Sequence, residues 1–327
     1  NNRELWRSPF AEGEFNNVAY SPGGKSIATA AGNVIQLWST ESGEEIGRLE
    51  GHSGDVRSVT FSPDGDRLLS GATDSTVRLW EISSLQEIGR LNGHRQAVNC
   101  VAFRPSSNSA CSSSDDGTVR LWDLVSLHET AQFIGHGTAS VRSVAFSRDG
   151  ERLLSGADDG TARLWVVSTQ EEIARLTGHG GAVRSAAFSP DGTKALSGSF
   201  DQTVRLWDLT SQQEIALFSP DAGPVWSVAF SPGGNQALSS SGKGNLRLWD
   251  LTSQQEVGRL VGHTARVSGA VFAPVDGNRV VSAAEDGTLL LWDTVTKKAI
   301  ARFSGHSRRN GGFLHGGGSP EGFYFLP

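Results

Sequence analysis

Methionine is absent from the whole chain, and cysteine occurs only twice, as Cys100 and Cys111. Two thiols among 327 residues are too few for a disulfide framework. Both fall in one stretch, on neighbouring predicted strands, where the plain reading is a pair of small buried hydrophobes. A reducing, cytoplasmic compartment is the default that follows. Prolines number 11 against 40 glycines, which points away from a disordered chain and towards many tight turns. No apolar run approaches the length that spans a bilayer, so no membrane partner is expected. Acidic residues outnumber basic ones, giving a net charge of -6 and a pI of about 5.8. That balance argues against nucleic-acid binding through general basicity, although it leaves room for a local basic patch. The first residue is Asn1, so the expectation is a chain that was trimmed, processed or engineered, and the missing leader peptide carries little weight. With 37% hydrophobic and 20% charged residues, a soluble globular protein is expected.

What the sequence does have is a repeat. Tryptophans stand at Trp38, Trp80, Trp122, Trp165, Trp207, Trp249 and Trp292, in steps of 42 or 43 residues. Gly-His pairs keep the same beat at His52, His94, His136, His179, His263 and His306, and one is missing at Ser219-Pro220. Within one period, Val56 to Phe61 is β-branched and aromatic, which predicts a strand. Ser62-Pro63-Asp64-Gly65 then makes a turn, with proline presetting its φ and glycine ending it. Arg67 to Ser70 is a second strand, Thr76 to Trp80 a third, and Glu87 to Leu91 a fourth. Between the second and third, sister repeats place Asp116-Gly117, Asp159-Gly160 and Asp286-Gly287, a strong hairpin signal. Four short antiparallel strands make one small sheet, which buries its faces only by packing against further copies in a closed ring.

The combination of Gly-His, Ser-Pro-Asp-Gly and Leu-Trp-Asp pieces resembles the WD-repeat β-propeller family, over residues 3 to 306. The resemblance implies an all-β, seven-bladed propeller forming a single domain over 1–306. Its regular copies are similar to bacterial-type WD-repeat segments, some of them attached to serine/threonine kinases. The resemblance also implies that each Gly-His histidine joins an Asp, a Ser and the Trp of its blade in a hydrogen-bonded chain. The sets are His52, Ser70, Asp74, Trp80; His94, Ser112, Asp116, Trp122; His136, Ser155, Asp159, Trp165; His179, Ser197, Asp201, Trp207; and His263, Ser282, Asp286, Trp292. Ser, His and Asp together suggest an acyl-transfer triad, but five copies at fixed offsets mark a structural device. Losing one partner from such a set should cost about 1–3 kcal/mol. Blade one has Ala11 and Gly32 at the His and Asp positions, and blade six has Pro220 and Lys243, so these two blades are expected to be softer.

Two segments compete for the last outer strand, Arg3 to Arg7 and Ala299 to Phe303, and the sequence leaves the choice open. Residues 307–327 form a glycine-rich tail. Its Ser319-Pro320-Glu321-Gly322 and following aromatics also admit an eighth, incomplete blade. Third-strand arginines Arg78, Arg120, Arg163, Arg205 and Arg247 stand two residues before their tryptophans, and so share their side of the strand. Their stems are expected to cover the indoles, a continuous basic stripe being the alternative.

Family resemblance places three residues of each blade on the rim of the central channel: the two that flank the leading hydrophobe of the first strand, and the one before the turn Asp. Among these, Phe200 and Trp226 replace the small or polar residues of the other copies, and Arg184 lies beside them. Arg184, Phe200 and Trp226 form a candidate patch for a protein or peptide, with Arg57, Arg142 and Arg266 expected to steer acidic groups. Asp55, Asp115, Asp158 and Glu285 line the same rim without evident partners. No P-loop, nucleophile elbow, metal-ligand set or cofactor motif is present. The expectation is a non-catalytic, monomeric scaffold or adaptor with no metal and no cofactor. The alternatives are an interaction domain of a larger protein and an engineered propeller without a native partner.

Overall fold

The structure is a computed structural model, and it describes residues 15–219, 223–275 and 277–304. The description below concerns those residues. They form seven sheets of four antiparallel strands each, covering 15–50, 56–92, 98–134, 141–176, 183–218, 225–261 and 267–304. Each sheet runs in simple chain order from an inner to an outer strand. This is a seven-bladed β-propeller. The tetrapeptide turns behave as their residues dictate. Gly65 sits at φ +83°, where a side chain would be strained, and its amide closes the turn on the Ser62 carbonyl at 2.9 Å. The Ser62 hydroxyl turns back to accept the Arg67 amide at 2.9 Å.

The core is not a single lump but a set of slabs between successive blades. One slab packs Leu37 and Leu49 of blade one against Val59, Leu68 and Trp80 of blade two. The pattern repeats round the ring and closes on itself. Val281, Leu289 and Phe303 of blade seven pack against Phe15, Val18 and Trp38 of blade one. Each blade's tryptophan therefore fills the gap to its predecessor, at 6% exposure or less in all seven. Of the two candidates for the last outer strand, the local copy pairs here: Lys298–Ser304 lies against Thr288–Asp293, with Leu289 opposite Phe303. The Arg3 to Arg7 segment and the tail from 307 onward lie outside the described residues, as does the eighth-blade reading that rested on that tail.

Side chains of the inner strands sew the blades together. Asn17 accepts the Val59 amide at 3.1 Å and Ser58 accepts the Val101 amide at 3.2 Å. Ser143 accepts from Ala186 at 3.0 Å, Ser185 from Val228 at 3.1 Å, and Ser227 from Ala270 at 3.4 Å. Between blades three and four Cys100 stands in, its thiol donating to the Val144 carbonyl at 3.5 Å. Burial raises the Cys100 thiol above its ordinary value, so it stays protonated and able to donate. At the closing joint the same position is Gly269, which has no side chain to offer. There the hydroxyl of Ser268 donates to the Phe15 carbonyl instead.

Candidate functional site

The second and inner strands of every blade lose register at one place. In blade two Val56 opposes Ala72 and Ser58 opposes Gly71, leaving Arg57 as an extra residue. The same bulge singles out Asn16, Asn99, Arg142, Arg184, Trp226 and Ser268 in the other blades. A bulge re-aims the side chain it carries. Here all seven aim into the axial channel, where they line the mouth of a cavity of about 490 Å³. Three are spent on the ring itself. Asn16 and Asn99 each donate to a carbonyl of the next blade at 3.0 Å, and the Ser268 hydroxyl donates to the Phe15 carbonyl. Blades two, four, five and six contribute Arg57, Arg142, Arg184 and Trp226.

A second tier lies just outside. The amides of Asp115, Asp158, Phe200 and Glu285 bond to the carbonyls of Ala97, Ser140, Ala182 and Arg266, each at 2.9 Å. This fixes their side chains beside the bulge residues. Glu14, the first of the rim positions, lies outside the described residues.

An arc of alternating charge results. Arg57 donates to Asn99 at 2.6 Å and to Asp115 at 3.0 Å. Arg142 donates to Asp115 at 2.6 Å and, through Nε, to Asp158 at 2.9 Å. Arg266 pairs with Glu285. Burial alone would raise the Asp115 carboxyl, but the Asn99 hydrogen bond and the Arg142 charge outweigh it and hold it below the usual range. Burial would likewise lower Arg142, yet Asp158 and Asp115 overcome it and raise its affinity for the proton. The structure thus corrects two readings from sequence. Asp115, Asp158 and Glu285 do have partners, and Arg57, Arg142 and Arg266 are not free cations waiting for an acidic group. Those partners come from neighbouring blades or from across the turn, so each is far away along the chain. Of the rim carboxylates among the described residues, Asp55 alone has no side-chain partner.

Arg184 differs. It donates no hydrogen bond among the described residues, and its nearest carboxylate, Asp158, is 3.9 Å away. Its guanidinium carbon lies 4.7 Å from the Phe200 ring centre and 4.8 Å from that of Trp226. These two rings meet edge to face at 4.9 Å, and Arg266 covers Trp226 at 3.8 Å. Burial holds the Arg184 guanidinium down to about 10; the charges of Arg142, Arg266 and Arg57 add to this, against Asp158. The structure therefore places all six candidate residues, Arg57, Arg142, Arg184, Phe200, Trp226 and Arg266, at one end of the channel.

The five His-Ser-Asp-Trp sets lie in the joints between blades. In blade two His52 meets Asp74 at 2.9 Å and Ser70 at 2.7 Å, and Trp80 donates to Ser70 at 2.8 Å. Blades three, four, five and seven repeat this geometry. The Ser70 hydroxyl accepts from the indole, so its own proton goes to His52 Nε2, and the imidazole keeps its proton at Nδ1 for Asp74. Burial lowers His52, in agreement with that neutral form. Burial would raise Asp74, but Thr76 and His52 outweigh it and hold the carboxyl at about 2. Ser70 has the spacing of a nucleophile but is 0% exposed, so no substrate reaches it.

Sequence reasoning missed the partners of the third-strand arginines. Arg78, Arg120, Arg163, Arg205 and Arg247 each pair with a glutamate nine residues on, Glu87, Glu129, Glu172, Glu214 and Glu256. The basic-stripe alternative is thereby cancelled charge by charge. The guanidinium and the indole edge also explain the glycine of Gly-His. A Cβ on Gly51 would lie 2.6 Å from Arg78 Nη1 and 3.2 Å from the Trp80 ring.

Comparison with known proteins gives two family profiles. One described as IFT122 first beta-propeller matches residues 14–215, and one described as WD domain, G-beta repeat matches 212–250 and 254–293. The chain is 40% identical over 62 residues to a periodic tryptophan protein 2 homolog of Neurospora crassa, covering 18% of this chain and 7% of that one. It is 39% identical over 57 residues to an uncharacterized WD repeat-containing protein of Synechocystis, covering 17% and 16%. The intraflagellar transport protein 122 homolog of Homo sapiens is 34% identical over 67 residues, covering 20% and 5%. The chain thus matches only small parts of these relatives' lengths, and their spread of sources does not single out a bacterial form of the repeat.

Proposed function

The chain belongs to the WD-repeat β-propeller family, a common protein-interaction scaffold, and we propose that it is a non-catalytic platform that binds a protein or peptide at the mouth of its central channel. The observation that carries this reading is the cluster of Arg184, Phe200 and Trp226. Phe200 is 37% exposed, a large hydrophobe held open on a rim where the other blades put small or polar groups. Aromatic and arginine side chains in one partly dehydrated pocket are the usual anchors of an interface. The other arginines of the rim are already paired with Asp115, Asp158 and Glu285, and these pairs serve to hold the shape of the mouth.

The test is selection of binders from a displayed random-peptide library, followed by measurement of their affinity for a Phe200→Ala/Trp226→Ala variant. Peptides selected on the wild-type chain should lose about tenfold or more in affinity, since each such anchor carries at least about 1–2 kcal/mol. Selected peptides that bind the folded double variant equally well would remove this face from consideration.

A further inference from the structure

Resting on that reading, we infer that the mouth recognises a carboxylate, an Asp or Glu side chain of an acidic peptide segment, which docks on the guanidinium of Arg184. The argument is one of unmet hydrogen bonds and of charge. A guanidinium carries five N–H donors in a planar fork that matches a carboxylate. Arg57, Arg142 and Arg266 each hold at least one of the carboxylates Asp115, Asp158 and Glu285. Arg184 makes none among the described residues, yet its side chain is only 20% exposed. It is pinned between blades five and six by Phe200 and Trp226, so it loses little freedom on binding.

Counting Asp55 on the cavity wall, the described carboxylates of the rim match its four arginines in number, but Asp55 bonds to none of them, so Arg184 is the one arginine with no hydrogen-bonded carboxylate. Burial and three like charges make that cation costly where it stands, so an incoming anion relieves it. A partner's lysine or arginine is disfavoured, because the faces of Phe200 and Trp226 are already in contact with this chain's own Arg184 and Arg266. A phosphate dianion is disfavoured as well. It would face a single guanidinium without a hydrogen-bonded carboxylate, with Asp158 close by and Asp55 on the cavity wall.

Nuclear magnetic resonance of the tryptophan indole N–H groups on the whole chain tests this directly, with the Trp226 signal assigned by its loss in Trp226→Phe. The probes are the acetylated, amidated derivatives of glutamate, glutamine and phosphoserine. The glutamate derivative should move the Trp226 signal saturably, with a dissociation constant on the order of millimolar for so small a ligand. Glutamine should bind about tenfold or more weakly, and so should glutamate to Arg184→Gln. Arg184→Lys, which keeps the charge without the fork, should fall between. The inference is overturned by no saturable shift with glutamate, by equal shifts with glutamine or with Arg184→Gln, or by tighter binding of phosphoserine. If library-selected peptides still need Phe200 and Trp226 while the glutamate probe fails, only the carboxylate is lost and the platform stands. If those peptides ignore the aromatics too, both readings fall.

Discussion

Replacing Gly269 with serine should make the ring more stable. Five of the seven joints use an inner-strand side chain to accept the next blade's amide, and Cys100 serves a sixth by donating. At Gly269 a Cβ would lie 3.6 Å from the Val18 amide nitrogen, in ordinary contact, and the backbone there is not left-handed. A serine hydroxyl at that point reaches the Val18 N–H as Ser227 reaches Ala270. Two increments add. Removing glycine's freedom from the unfolded chain stabilises by about 0.4–1 kcal/mol. A new hydrogen bond contributes about 0.5–1.5 kcal/mol. Gly269→Ser should therefore gain about 1–2.5 kcal/mol, and Gly269→Ala only the first increment. The reciprocal Ser58→Gly should lose about as much as Gly269→Ser gains. Urea unfolding followed by tryptophan fluorescence reads the differences at constant m-value. Equal stability of the serine and alanine variants would refute the idea that these hydroxyls act as joints.

Two other outcomes follow from the His-Ser-Asp-Trp sets. Ser70→Ala strands both the Trp80 indole and His52 Nε2, whereas Ser239→Ala in blade six strands only the Trp249 indole. At about 1–2 kcal/mol per stranded group, the first should cost about twice the second in urea unfolding; equal costs would contradict the assigned bonding. Acid should weaken the fold in two stages. Burial holds His52, His136 and His179 below the ordinary histidine value of 6.5, so below that pH the unfolded chain takes up protons that the native one refuses. Asp74 and Asp201, held at about 2, then lose their contribution as the pH falls from the ordinary 3.8 towards 2. A thermal midpoint unchanged between pH 7 and 5 would contradict the first stage.

The fold was legible because its information is periodic. Each turn, tryptophan and Gly-His is written several times, so noise in one copy is corrected by the others. The aromatic contact between Phe200 and Trp226 was legible as well, since the repeat puts both on the rim of consecutive blades. What stayed hidden was which charges cancel. Arg142 meets Asp115 from 27 residues away, and Arg57 reaches the same carboxylate across 58. Equivalent-position reasoning puts such residues on one rim but does not say whether a guanidinium faces the solvent or its neighbour. The bulge that aims Arg57, Arg142, Arg184 and Trp226 inward also leaves no composition signature: Asn, Arg, Trp and Ser all occupy it. The Arg78–Glu87 type of pair was in principle visible, as a glutamate recurring nine residues after each arginine.

The joints between blades have a direction. In five of them a side chain of one blade accepts the backbone amide of the next, and a backbone amide is the same whatever residue carries it. The receiving blade thus needs no matching letter, only a strand in the right place. A joint of this kind is a universal coupling: a copy inserted anywhere in the series arrives with its own hook and finds an eye already waiting. Growth of such a chain by duplication is accordingly limited less by the fit between neighbours than by the geometry of bringing the last blade round to the first.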